Sequence, residues 1–174
     1  MDELPETFKL NFSREHGGAF RLSASQILPV APARAFSFFE DPHNLACITP
    51  AWLEFRLLDD GGGRAFEGVE FKYTIKWLGL RIPWRSRIVD YHPPREFTDI
   101  QIAGPYRKWV HVHTFSQVSG GTLMKDNADY RLPLGLAGRF VHIWVVERQL
   151  RDIFTYRASR IHEWAQENIE IPLR

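Results

Sequence analysis

The fold is decided by residues 136–167, which read LAGRFVHIWVVERQLRDIFTYRASRIHEWAQE and contain no proline. Apolar residues recur there three and four positions apart, which places their side chains on one stripe of an α-helix. Roughly 30 residues at about 1.5 Å each give a rod of about 45 Å, long enough to cross a small domain. Such a stripe requires a large apolar partner surface. Its members are Phe140, Ile143, Trp144, Leu150, Ile153, Phe154, Ile161, Trp164 and Ala165.

The residues before this helix supply that surface, because their apolar side chains alternate with a period of two, which predicts strands. Residues 69–77 alternate most clearly, so this strand has one apolar and one wet face. Tight turns at prolines and glycines separate the strands and require antiparallel pairing. The predicted strands are 20–28, 52–58, 69–77, one through 82–88, 96–102, 109–118 and 122–132, and short helices are predicted at 32–40 and 44–47. This order predicts an α+β domain.

The composition is that of one ordinary globular domain. The 174 residues carry 22 basic and 21 acidic side chains, a net charge of +1, so no nucleic-acid partner is expected. Cys47 is the single cysteine, which excludes an internal disulfide and favours a reducing compartment. We find no signal-peptide pattern and no run long enough to span a bilayer, so we expect a cytoplasmic protein without integral membrane association. Residues 1–18 are interpreted as a leader or frayed first strand, 19–168 as the domain and 169–174 as a tail.

Three stretches carry a family resemblance: residues 36–55 (FSFFEDPHNLACITPAWLEF), 97–115 (FTDIQIAGPYRKWVHVHTF) and 124–135 (MKDNADYRLPLG). With the order of elements, they resemble the START-like superfamily, also called Bet v 1-like or SRPBCC, and in particular its bacterial ligand-binding subgroup. The resemblance spans roughly residues 20–165. It implies a helix-grip fold, in which about seven antiparallel strands curve around the C-terminal helix and enclose a cavity. It says little about function, because polyketide cyclases, lipid-transfer proteins, receptors and chaperone activators share this scaffold.

Polar residues on three late strands form the candidate site. The alternation of strand 109–118 places Trp109, His111, His113 and Phe115 on one face, which we predict to point inward. The neighbouring strands then add Asp99, Gln101, Asp126 and Tyr130 to the same neighbourhood. Three interpretations remain open for this group: a buried hydrogen-bond network that fixes the strand register, the polar end of a ligand pocket, or a general acid–base pair. In the last, His111 or His113 is the base, and Asp99 or Asp126 orients it.

A metal ion was considered because His111 and His113 put two imidazoles on one face of a strand. Cupins combine such a pair with a nearby glutamate and a later histidine. Here Gln117 stands in the position expected for the glutamate, and the remaining candidates, His142 and His162, lie on the long helix. We therefore predict no metal and no cofactor. Motifs of nucleotide-binding proteins, serine hydrolases and zinc proteases are absent from the sequence.

A high aromatic content, 14% of the residues, is typical either of a ring-rich core or of an apolar ligand cavity. We expect the cavity entrance near loop 59–64 and the short helices. The leading hypothesis is binding or carriage of a small hydrophobic, lipid-like or polyketide-like molecule. The alternatives are a polyketide cyclase or dehydratase, and a co-chaperone-like or toxin-like interaction module whose protein partner is unknown. The predicted pocket walls are Phe71, Tyr73, Trp84, Gln101, Trp109, Phe115, Tyr130, Leu150 and Phe154.

Basic residues form a stripe on two adjacent strands, at Lys72, Lys76, Arg81, Arg85 and Arg87. Such a stripe usually marks a solvated face that discourages association through the sheet edge. The alternative is a contact surface for an acidic partner or a membrane.

Overall fold

The structure is a computed structural model that describes residues 4–77, 79–133 and 145–169. The described residues form eight strands and three α-helices. The strands are β1 Lys9–Arg14, β2 Phe20–Leu28, β3 Arg56–Asp59, β4 Glu70–Trp77, β5 Leu80–His92, β6 Glu96–Ala103, β7 Lys108–Val118 and β8 Gly121–Arg131; the helices are α1 Pro32–Phe39, α2 Asn44–Cys47 and α3 Glu147–Glu167.

All eight strands belong to one antiparallel sheet in the order β1-β2-β8-β7-β6-β5-β4-β3. Strand β2 pairs with β8, so the first part of the chain closes onto the last strand before α3. The predicted α+β helix-grip architecture is confirmed, with one more strand than the seven expected. The extra strand, β1, lies within residues 1–18 and pairs with β2 from Lys9↔Ser25 to Arg14↔Phe20. Gly17 and Gly18, both with positive φ, allow the chain to turn between these strands.

The predicted strand at residues 52–58 is wrong in its first half. Ala51–Leu53 forms a short 3-10 helix, and β3 begins only at Arg56. Pro50 precedes this turn, and Glu54 ends it in the left-handed region, with φ 41° and ψ 48°. A residue in that conformation interrupts a strand, so the apolar alternation that begins at Trp52 belongs partly to a turn.

Helix α3 uses the predicted stripe. Of the described members, Leu150, Phe154, Ile161 and Ala165 are buried, and Ile153 and Trp164 are partly buried. The remaining members, Phe140, Ile143 and Trp144, lie outside the described residues. No helix in the described ranges is long and apolar enough to cross a bilayer.

One end of the space between sheet and α3 is filled by α1. Pro32 starts this helix at a position where its missing N–H costs nothing. The ring of Phe36 packs edge-on against Phe97 and Phe115, and Phe38 contacts Trp164 of α3 at 4.2 Å between ring centroids. A second cluster of rings surrounds Trp84, Trp109 and Tyr130 at the other end. The two clusters leave space between them.

Candidate functional site

A cavity of about 340 Å³ lies between the inner face of the sheet and α3. This volume falls within the range of about 300–1,000 Å³ that is usual for small-molecule pockets. The indole N–H of Trp77 on β4 donates to Gln149 Oε1 on α3, which ties the two walls together. Most wall residues are apolar or aromatic, among them Leu45, Ile48, Phe55, Phe71, Tyr73, Ile75, Trp84, Ile88, Phe97, Tyr106, Trp109, Leu150, Ile153 and Phe154.

Six of the nine predicted wall residues line this cavity, namely Phe71, Tyr73, Trp84, Trp109, Leu150 and Phe154. The other three face the interior side of the sheet but lie elsewhere. Phe115 packs against Phe36 in the filled end. Tyr130 is fully buried and contacts Phe20 and Trp109. The Gln101 amide bonds with the main chain of Tyr106, donating to its carbonyl at 2.6 Å and accepting from its N–H at 3.2 Å.

Some wall residues were not anticipated. Arg157 lies three residues after Phe154, so the helical period that selected Leu150 and Phe154 also points to it. Tyr106 follows Pro105 in the connection between β6 and β7, where no periodicity identifies an inward residue. Residues of the α2 region line the cavity, whereas loop 59–64 is not among the described wall residues, so the position of the entrance stays a prediction.

Four polar side chains lie together on the sheet side, and we call them the His–Asp cluster: Asp99 on β6, which is partly exposed, and the buried His111 and His113 on β7 and Asp126 on β8. The strand register places Asp99 opposite His111, and His113 opposite Asp126. Asp99 Oδ2 lies 3.1 Å from His113 Nε2 and 3.6 Å from His111 Nδ1. Asp126 Oδ1 lies 2.6 Å from His113 Nδ1 and 3.2 Å from His111 Nε2. Each imidazole therefore directs one nitrogen to each carboxylate.

The contacts on the two sides of the imidazoles differ in quality. His113 Nε2 and Asp99 Oδ2 are aligned for a hydrogen bond. The atoms on the other side, Asp126 Oδ1, His111 Nε2 and His113 Nδ1, are close together but are not aligned for one. Attraction on the Asp126 side is thus mainly between charges. Asp99, His111 and His113 line the cavity, whereas Asp126 lies behind the imidazoles.

The cluster shifts the pKa of its members in opposite directions. Burial would by itself lower the pKa of His113, but Asp126 and Asp99 outweigh it and raise this pKa above the usual value. Burial and the neighbouring His113 lower the pKa of His111. Burial would raise the pKa of Asp126, yet His113 and His111 hold it well below its usual range. The cluster therefore favours an ionised Asp126, a charged His113 and a neutral His111.

Other polar atoms on the cavity wall lack partners. Trp84 Nε1 and Arg157 Nε are buried and have no hydrogen-bond acceptor among the described residues. Burial raises the pKa of Tyr73 and of Tyr106, so both phenols keep their protons at neutral pH. The wall thus offers hydrogen-bond donors inside an apolar space.

The basic stripe on the outer face is paired with acidic residues. Lys72 lies 2.8 Å from Asp59, Lys76 and Arg81 lie 2.6 and 2.8 Å from Glu54, and Arg85 and Arg87 both contact Glu70. Local neutralisation favours the interpretation of a solvated face.

A curved antiparallel sheet, a long helix packed on its inner face and a cavity between them define a helix-grip ligand-binding domain. Residues 28–154 match the family model described as polyketide cyclase/dehydrase and lipid transport, and the chain belongs to this family. The predicted superfamily is thereby confirmed.

Solved structures with the same fold are similar to this chain at low identity. A protein from Chromobacterium violaceum has 14% identity and a TM-score of 0.65, with 85% of this chain and 96% of that chain covered. A Mycobacterium smegmatis protein has 13% identity and a TM-score of 0.64, covering 92% of this chain and 99% of its own. Ara h 8.0201 has 14% identity and a TM-score of 0.59, covering 87% and 100%. These likenesses show the fold alone. No curated protein sequence matches the chain.

Proposed function

We propose that the protein binds a small, mostly apolar molecule in the cavity between the sheet and α3, with a polar group of that molecule held at the His–Asp cluster. One observation carries the proposal: the cavity of about 340 Å³ has mostly apolar walls, and three members of the His–Asp cluster line its sheet side. Apolar walls provide affinity, and a few placed polar groups fix orientation.

The polar atoms of the wall also indicate the chemistry of the ligand. Trp84 Nε1 and Arg157 Nε can donate hydrogen bonds but not accept them, and a buried donor without an acceptor costs about 1–3 kcal/mol. A ligand oxygen, in a carbonyl, hydroxyl or carboxylate, would satisfy such a donor. A polyketide-like or fatty-acid-like molecule combines these oxygens with a large apolar surface.

Two tryptophans provide a matched test. Trp84 lines the cavity and is 9% exposed, whereas Trp52 lies outside it and is 46% exposed. The fluorescent probe anilinonaphthalene sulfonate, an apolar ring system with acceptor oxygens, should bind the wild type saturably at one site. Trp84→Ala should weaken this binding roughly tenfold, about 1.4 kcal/mol, through lost contact area and a lost donor. Trp52→Ala should leave it unchanged. Equal effects of the two substitutions would contradict the proposal.

A second candidate function is that of a cyclase or dehydratase acting on a polyketide-like substrate. It is favoured by the position of His111 and His113, which both line the cavity with a carboxylate behind them. A bound poly-β-keto chain would place its carbonyls against these imidazoles. His111→Gln and His113→Gln should then abolish formation of the cyclised product while probe binding persists. Unchanged turnover in both variants would exclude this candidate.

A further inference from the structure

We infer that Asp99, His111 and His113 form a binding site for a divalent transition-metal ion on the cavity wall. One ligand atom from each residue can be chosen so that all three lie within 4.8 Å of one another. Asp99 Oδ2 lies 3.6 Å from His111 Nδ1 and 3.1 Å from His113 Nε2, the two ring nitrogens that do not face Asp126. Ligands at about 2.0–2.2 Å from Zn²⁺ lie about this far apart.

Asp126 completes the arrangement from behind. The ring nitrogens that face away from the proposed ion, His111 Nε2 and His113 Nδ1, lie 3.2 and 2.6 Å from Asp126 Oδ1. Histidines that bind a metal generally donate the other ring N–H to a carboxylate or carbonyl, which fixes the tautomer and the ring orientation. Asp126 lies at the place of such a carboxylate, although its oxygen is not aligned for hydrogen bonds here, so we assign it a positioning role through its charge. Asp99 does not share this role, because its carboxylate lies beside the other ring nitrogens, His111 Nδ1 and His113 Nε2, which are the proposed metal ligands.

Burial provides an independent argument. His111, His113 and Asp126 are each at least 94% buried. A carboxylate in a protein interior is costly unless a compensating charge lies nearby. A divalent cation between Asp99 and the imidazoles would supply such a charge.

The composition of the site indicates its class. Two imidazoles and one carboxylate are ligands that Zn²⁺ and Fe²⁺ accept in proteins, and three protein ligands leave a coordination position open. The open side faces the cavity, because the three ligands line it. An oxygen of the ligand in the proposed function would reach the ion from there. The inference extends that function but does not depend on it, since the metal alone tests it.

The expected absence of metal is therefore replaced by this proposal. In the sequence, the candidate positions for a third ligand were Gln117 on the strand of the two histidines and His142 and His162 on the predicted long helix. The structure instead provides Asp99 from the neighbouring strand, directly opposite His111 in the register.

The test uses the chelator-treated protein and the metal alone. Calorimetric titration with Zn²⁺ should give one tight site per chain, and Co²⁺ should give the visible absorption of a protein-bound ion. Asp99→Asn should weaken Zn²⁺ binding at least tenfold, and Asp126→Asn about ten- to a hundredfold with unchanged stoichiometry. His43→Gln is the control. His43 is exposed and lies 2.9 Å from Asp41 and 3.5 Å from Asp60, so it represents adventitious surface binding.

Wild-type NMR makes the test independent of whether buried variants fold. Co²⁺ should broaden or shift the imidazole resonances of His111 and His113 and leave those of His43 and His16 in place. The inference is overturned if Zn²⁺ does not bind saturably, if His43→Gln removes the binding, or if Asp99→Asn leaves it intact. Binding of the apolar probe in the same metal-free samples reports separately on the proposed function.

Discussion

Asp126 and Asp129 lie three residues apart on β8 and face opposite sides of the sheet. Asp129 is partly exposed and makes a bidentate pair with Arg21 of β2, at 2.6 and 2.8 Å. Asp126 is buried against two imidazoles. Ion pairing holds the pKa of both carboxyl groups below the usual value: for Asp129 through hydrogen bonding to Arg21, and for Asp126 through the histidines against the effect of burial.

The comparison indicates that two carboxylates whose pKa is shifted in the same direction can differ widely in what the loss of their partners costs. Water screens the outer pair and replaces either partner when it is lost, so such pairs contribute little. The inner charges are largely buried, so water replaces a lost partner poorly and each charge depends on the others. Apolar side chains of similar volume would often stabilise a core as well as such a cluster does. A costly cluster that borders a cavity is therefore a reasonable place to expect function.

The largest predicted effect comes from breaking the inner cluster. Asp126→Asn keeps the shape of the side chain but removes the negative charge that attracts His113. We expect a loss of about 3–5 kcal/mol in the free energy of unfolding, the range found when one partner of a buried ion pair is removed. Urea denaturation of the chelator-treated protein measures it. If Asp126→Asn lowers the free energy of unfolding no more than Asp129→Asn does, the inner cluster and the outer pair do not differ in their contribution to stability.

The second prediction concerns acid. The folded pKa of Asp126 is lowered, so its stabilising contribution is present above its unfolded pKa of about 4 and is lost as the pH falls below that value. Stability of the wild type should therefore decline steeply below about pH 4. The decline should be shallower in Asp126→Asn, because the amide does not titrate. Urea midpoints measured across pH 3–6 test this, and parallel curves for the two proteins would contradict it.

The smallest effect is expected on the outer face. Arg21→Gln removes a bidentate pair whose partners are 46% and 34% exposed. Screening by solvent limits the expected loss to about 1 kcal/mol or less. Added salt should reduce the difference between variant and wild type further, since the screening length falls from about 10 Å at 0.1 M to about 3 Å at 1 M salt. A larger loss that salt does not alter would show that the outer pair is also structural.

From the sequence, it was possible to predict which face of each strand points inward. It was not possible to predict which of the inward residues line the cavity and which pack against other elements. Strict alternation in β7 identified His111 and His113 as inward, and the register then brings Asp99 and Asp126 beside them. Phe115 and Gln101 were on the predicted face, yet neither lines the cavity. Phe115 contacts α1, whose docking position is a non-local outcome that periodicity does not describe. Gln101 instead bonds the backbone of the following connection.

The metal ligand set shows the same limit. A search along one strand or one helix finds residues related by their spacing, whereas Asp99 is related to His111 only by strand pairing. A register change of one residue would place Asp99 on the other face. Likewise, glutamate is not a residue type that predicts a left-handed conformation. Because Glu54 takes this conformation, β3 begins at Arg56 and not at residue 52 as predicted.

The central claim is that a mostly apolar cavity binds a small molecule whose polar group is held at the His–Asp cluster. Its most direct test is native mass spectrometry of the protein after exposure to a cell extract of lipids and polyketides. We expect an added mass of one molecule per chain. Denaturation should release a mostly apolar compound with carbonyl, hydroxyl or carboxylate oxygens, and Trp84→Ala should retain less of it than Trp52→Ala. A protein that remains at its bare mass with every extract would contradict the account.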